Sequence, residues 1–275
     1  MFSRQRTGSV VCPSCGNLVG VNDERCYNCG RWNPGLWGFA PLLRRLGNDL
    51  GFTNLVIAGS VVLYLAMLLA SGGGVTLMAG PMSFLSPSDL AFLLFGASGS
   101  YPVFVLGSWW TVFSAGWLHA SALHILFNMM WIRQLGPATG ELFGPSRAVI
   151  IYTVAGVTGF ALSTFAGSQL TLGASAGVMG LLGAMVRYGQ RTGSSHIGSQ
   201  AWSWALILFV MGFLMRGVDN WAHGGGFVGG YLAALVLDPV QRERPAHMLI
   251  ALACLLVTAL SIVASLLKGL ALLRG

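Results

Sequence analysis

Charge is absent from long stretches of this chain. No Asp, Glu, Lys or Arg occurs between Asp49 and Asp89, Asp89 and Arg133, Arg147 and Arg187, Arg191 and Arg216, Asp219 and Asp238, or Arg244 and Lys268. A helix needs about 20 mostly apolar residues to cross a bilayer. Inside lipid, only helices and closed barrels satisfy their own backbone hydrogen bonds. These runs lack strict alternation and exceed the length of barrel strands, so helices are expected. Of the 275 residues, 55% are hydrophobic and 8% are charged. A soluble domain carries about 25% charged residues, so an ordinary soluble enzyme, a disordered chain and a nucleic-acid binder are excluded. The fold class expected is an all-α polytopic membrane protein.

Seven spans are expected, at 52–71, 121–136, 147–167, 175–190, 201–216, 221–238 and 247–268. The stretch 72–120 is apolar but broken by Gly72, Gly73, Gly74, Pro81, Pro87, Gly96, Gly99 and Pro102. With Trp109, Trp110, Phe113 and Trp117, it reads as a long loop with short interfacial helices. Every basic residue except Lys268 is arginine. With seven spans and a cytoplasmic N-terminus, Arg4, Arg6, Arg25, Arg31, Arg44, Arg45, Arg133, Arg147, Arg187, Arg191, Arg242 and Arg244 fall inside. Only Arg216, Lys268 and Arg274 fall outside. The positive-inside rule favours this threading. Residues 1–30 hold no apolar core of a signal peptide. The expected location is a bacterial inner membrane.

The polar N-terminal part holds Cys12-Pro-Ser-Cys15 and Cys26-Tyr-Asn-Cys29. Two such knuckles suit a tetrahedral thiolate site, and Gly16 and Gly30 supply the permissive residue after each. The alternative is two disulfides, which are rare in a reducing cytoplasm. Four thiolates leave no open position, so a structural Zn²⁺ is expected, with none required for catalysis. So small a segment would draw most of its folding free energy from the metal. Cys254 lies in the last apolar run and is expected to pack there.

Polar side chains at membrane depth are costly and point to function. Gly173-Ala174-Ser175-Ala176-Gly177 precedes a helical run, so Ser175 is expected at a helix N-terminus, where free N–H groups stabilise an oxyanion. The alternative is a small-residue packing motif. His223 lies in Asn220-Trp221-Ala222-His223-Gly224-Gly225-Gly226, and Gly226-x-x-x-Gly230 permits close helix contact. Such contact would bring His223 to Ser175 as the base a serine nucleophile needs. The alternative is a histidine bonded across helices. His124 and Asn128 are i and i+4 on one face, and both can donate to an oxyanion. A metal held by His119, His124 and His223 would need a carboxylate, and only Asp219 is near. A dyad without an orienting acid is therefore favoured over a triad.

In these motifs the chain resembles the rhomboid intramembrane serine proteases. The resemblance spans residues 105–238, with Gly173-x-Ser175, His124-x-x-x-Asn128 and Ala222-His223-x-x-Gly226-x-x-x-Gly230 in the family's order. It implies a rhomboid-like six-helix core plus one C-terminal helix and a small zinc-ribbon-like cap. Ser175 is implied as nucleophile, and His223 as base. His124, Asn128 and the Ser175 backbone N–H are implied as the oxyanion site. His119 and Gly173 match structural positions. The chain departs from the family in three places. Many rhomboids carry Trp-Arg in the first loop, where Trp109-Trp110 stands here. The aromatic that often follows the nucleophile by four is Met179. The family's glutamate after the second helix is only loosely matched by Glu141.

The expected division is a cytoplasmic four-Cys zinc-binding segment (1–35), a linker (36–51), the six-span catalytic core (52–240) and an extra C-terminal helix (241–275). The expected activity is an intramembrane serine endopeptidase cleaving transmembrane segments. The alternative is a catalytically silent protein that binds membrane clients. A transporter would show inverted repeats and paired midplane charges, and neither is seen. Expected partners are transmembrane substrates, the bilayer and a cytoplasmic protein at the cap.

Overall fold

The computed structural model describes residues 4–13, 15–41, 46–77, 83–215 and 217–272. Arg44, Arg45, Arg216 and Arg274, used above for topology, lie outside the described residues.

The N-terminal part folds around two knuckles. Strands β1 (Ser9–Val11) and β2 (Leu18–Gly20) pair antiparallel, with Val10 opposite Val19. Between them the Gly16 N–H donates to the Cys12 carbonyl at 3.0 Å. The second knuckle repeats this, with Gly30 donating to Cys26 at 2.8 Å. Gly16 and Gly30 adopt φ of +75° and +71°, where an L side chain would be strained. The apolar core here is a small cluster of Val10, Val19, Val21, Ala40 and the cysteines.

Seven long helices follow: α1 (Phe52–Ser71), α2 (Ala122–Phe143), α3 (Pro145–Phe165), α4 (Ser175–Thr192), α5 (Ser195–Leu214), α6 (Asn220–Val236) and α7 (Pro245–Leu272). Each contains most of an expected span. Capping explains several starts. The Asp49 carboxylate accepts from Gly51 and Thr53 N–H ahead of α1. Ser121 caps α2 through the His124 N–H, and Asp219 caps α6 through the Ala222 N–H. Such caps satisfy donors that a helix start leaves free.

Two boundaries differ from expectation. Helix α2 runs through Pro137 to Phe143 rather than ending at 136. A proline inside a helix costs about 3 kcal/mol. Burial of Leu135, Gly136, Thr139, Gly140 and Phe143 in the same stretch offsets it. Gly140 meets the Asn48 backbone closely enough that an added Cβ would lie 2.8 Å from the Asn48 carbonyl oxygen. Helix α5 starts at Ser195, not 201. Gly193 ends α4 at φ +77°, and Gly189 and Gly198 let the two helices meet directly after the turn.

Among the described residues, α1, α3, α5 and α7 are long and apolar enough to cross a membrane on those grounds alone. Helices α2, α4 and α6 are not; they carry His124, Asn128, Ser175, His223 and most of the glycines at helix contacts. Among the described residues, the stretch 72–120 holds two short helices (Asp89–Phe95 and Thr111–Ser114), a π-turn at Tyr101–Val105 and single 3-10 turns at Gly72–Gly74 and Ala115–Trp117. No span occurs there among the described residues.

Helix α4 is buried along most of its length. Helix α6 packs on it through missing side chains. A Cβ on Gly226 would lie 2.9 Å from the Ala176 carbonyl carbon, and one on Gly230 would strike the Gly180 backbone. On its other side, a Cβ on Gly225 would lie 2.9 Å from the Thr158 carbonyl oxygen of α3. Thr158 Oγ1 donates to the Gly225 carbonyl at 3.0 Å. Small residues let membrane helices approach to backbone contact, where dispersion and hydrogen bonds hold them.

Candidate active site

Ser175 is the first residue of α4. Its own N–H and the next ones have no partner inside the helix and face the end where charge would develop. The turn before it is pinned. Ser98 and Thr171 exchange both backbone hydrogen bonds, at 3.0 and 2.8 Å, and the Gly173 N–H donates to the Ala115 carbonyl at 3.0 Å. Gly173 adopts φ +126°, and a Cβ there would lie 2.7 Å from His124 Nε2. Glycine is required at this position both for its backbone angle and for the histidine beside it.

The Ala120 N–H donates to His124 Nδ1 at 3.2 Å. An imidazole whose Nδ1 accepts carries its proton on Nε2, so the edge facing Gly173 is a donor. One turn on, Asn128 Nδ2 donates to the His124 carbonyl at 2.8 Å. That fixes the amide and leaves its second N–H free to donate. His119 is fully buried, with its ring centroid 5.2 Å from that of His124.

Helix α6 carries His223 to the same place. Ser175, His223, His124 and Asn128 all line one cavity of about 510 Å³. Its walls are largely apolar, with Phe92, Phe127, Trp131, Phe160, Leu208 and Met211 among them. Met179 also lines it, one turn below Ser175. Gly226 and Gly230 do not reach the cavity; they set the α4–α6 spacing. Asp219 lines the cavity, but its carboxylate is engaged elsewhere. One oxygen accepts from the Ala222 N–H at 3.1 Å, and the other accepts from the Ser163 hydroxyl. His223 Nδ1 is buried without a hydrogen-bond partner among the described residues. Among the described residues no carboxylate hydrogen-bonds to the imidazole.

Residues 106–240 match the rhomboid domain family. The chain carries a rhomboid domain. The chain is 28% identical over 189 residues to rhomboid protease GluP of Bacillus subtilis, covering 68% of this chain and 34% of that protein. It is 33% identical over 158 residues to RHOMBOID-like protein 4 of Arabidopsis thaliana, covering 56% and 40%. With Rhomboid-like protease 5 of Toxoplasma gondii it shares 34% over 170 residues, covering 55% and 19%. The chain spans less than half the length of these relatives. As a rhomboid with long apolar helices, the protein is integral to the membrane.

The four cysteines of this rhomboid chain gather in a second site. Their sulfurs lie within 4.8 Å of one another. Cys12 and Cys29 sulfurs are 3.7 Å apart, and those of Cys15 and Cys26 are 3.6 Å apart. A tetrahedron with metal–sulfur bonds of about 2.3 Å has edges near 3.8 Å, so the donor set fits one ion. The Asn17 backbone N–H holds the Cys15 thiol down to about 6, toward the thiolate that binds metal. Among the described residues no other group of metal-ligating side chains gathers this way, and the histidines form none. Sequence reasoning did not find the partners of the 72–120 loop on α7, Ser265 and Lys268. They lie far along the chain from the loop they touch.

Proposed function

We propose that the protein is an intramembrane serine endopeptidase that cuts transmembrane segments with a Ser175–His223 dyad. The observation that carries this reading is the shared cavity of Ser175, His223, His124 and Asn128. In the proposed reaction His223 takes the Ser175 hydroxyl proton as Oγ attacks the scissile carbonyl carbon. The developing oxyanion accepts from the Ser175 N–H, His124 Nε2–H and Asn128 Nδ2–H. Such preorganised donors supply much of the rate in acyl transfer. His223 then gives its proton to the leaving amine. A water, deprotonated by His223, hydrolyses the acyl-serine and frees Ser175. The substrate helix must unwind locally, since helical carbonyls are occupied by their own ladder. Small or helix-breaking residues near the cut are expected.

Topology follows the arginines. Ser175 opens α4 and Arg191 closes it, so site and basic end lie on opposite sides. We place the N-terminus in the cytoplasm of a bacterium and the site toward the outer face of its inner membrane. The four cysteines would hold a structural Zn²⁺, which would close residues 1–35 into a cap and take no part in the reaction. The division into cap, linker (36–51), core (52–240) and seventh helix (241–275) is proposed with it, as is a cytoplasmic partner for the cap.

A fluorophosphonate probe tests the reading. It is expected to label the wild type and to leave Ser175→Ala and His223→Ala unlabelled. Labelling of Ser175→Ala at the wild-type rate sinks the assignment. A wild type that takes no probe and cuts no transmembrane substrate points to the client-binding alternative.

A further inference from the structure

The turn that delivers Ser175 is held from outside by the last helix. Lys268 of α7 donates to the Leu106 carbonyl, and its Nζ stands 5.2 Å from the centre of the Trp110 ring. Trp110 Nε1 donates to Ser265 Oγ at 3.1 Å. Ser265 is buried and donates in turn to the Ser261 carbonyl at 2.9 Å. Ser265 and Lys268 are three residues apart, so one face of α7 makes both contacts. A lysine near the end of a membrane helix commonly turns its head toward water. Here it turns to a carbonyl and an aromatic face within the protein.

The held loop is tied to the active-site turn without a gap. Thr111, next to Trp110, bonds through Oγ1 to Ser98 Oγ at 3.3 Å. Ser114 Oγ donates to the Gly96 carbonyl at 2.8 Å. A Cβ on Gly96 would lie 2.9 Å from Ser265 Cβ, so the loop backbone rests on α7 itself. Ser98 pairs with Thr171, and Ala115 accepts from Gly173. Gly173 is two residues before Ser175.

We propose that Lys268 and Ser265 are positioning residues, which hold the outer loop and through it the Gly173–Ser175 turn. The seventh helix thus contributes to the site without touching it. This rests on the proteolytic reading for its kinetic consequence, while the tether itself can be tested apart from catalysis.

The test compares wild type, Lys268→Met, Lys268→Arg and Ser265→Ala, each as full chain in lipid nanodiscs. Amide exchange reads the tether, and fluorophosphonate labelling reads the site. In Lys268→Met the amides of Ser98, Thr171 and Gly173 are expected to exchange faster, while α4 and α6 stay protected. The maximal labelling rate is expected to fall about tenfold with the half-saturating probe concentration unchanged, since small misplacements of a reacting group cost this much. Lys268→Arg, which keeps the cation and donors, is expected to restore both. Ser265→Ala removes the Trp110 contact and the bond to the Ser261 carbonyl within α7 but keeps both Lys268 contacts, and is expected to show the same pattern more weakly. It serves as the deciding variant if Lys268→Met does not fold. Exchange and labelling both unchanged overturn the proposal, as does faster exchange with unchanged labelling. If the wild type takes no probe, the proteolytic reading fails. Exchange at Thr171 and Gly173 then decides the tether, and unchanged protection overturns it.

Discussion

Gly173 shows how much a missing atom does. The position needs φ +126°, and a methyl there would push against His124. Gly173→Ala is expected to cut fluorophosphonate labelling about 100-fold, the scale of losing an oxyanion donor. Its melting temperature should fall as well, because an alanine at φ +126° is strained. Labelling at the wild-type rate would show that His124 has room to spare. Ser175, His223, His124 and Asn128 are legible in the sequence because polar groups inside apolar runs stand out and their spacings fit helix faces. The four side chains line one cavity. The occupation of Asp219 by Ser163 is not legible. It joins residues 56 apart in sequence on different helices, and nothing local in either marks the other.

Helices hold their ends with charge as well as with caps. Arg147, buried at the start of α3, donates to the carbonyls of Phe143, Asp238, Gln241 and Arg242 and to His247 Nδ1. Its backbone N–H donates to Glu243 at 3.0 Å. One guanidinium thus closes the α6–α7 connection and the turn before α3. Arg147→Met would leave several carbonyls without a donor. A hydrogen bond to a charged group contributes roughly 1.5–3 kcal/mol, so a loss of about 3 kcal/mol or more is expected in reversible unfolding. An unchanged unfolding midpoint would show that water replaces the guanidinium there. The topology reading saw Arg147 only as one cytoplasmic charge among twelve. Periodicity and hydropathy locate helices, but they carry no information on which loop a side chain will close. The same holds for α2, whose Pro137 reads locally as a stop. Burial against the start of α1 decides otherwise.

Across the whole molecule, two kinds of stability meet in one chain. The cap clusters its own apolar residues with its cysteines, apart from the membrane clusters. Cys12→Ser is therefore expected to abolish bound zinc, measured by atomic emission, and to expose residues 9–41 to limited proteolysis. Fluorophosphonate labelling of the membrane part should persist. Loss of labelling on zinc removal would join the cap to the site instead. The membrane part has a different history written into it. Among the described residues, helices α1, α3, α5 and α7 are long and apolar enough to cross a membrane on those grounds, while α2, α4 and α6 between them do not meet both conditions. Each reluctant helix follows a willing one along the chain. Insertion is then expected to proceed in neighbours, with the willing helices carrying the others across. The residues of the site ride on the reluctant helices, so their meeting is expected to wait until the willing neighbours have reached the bilayer.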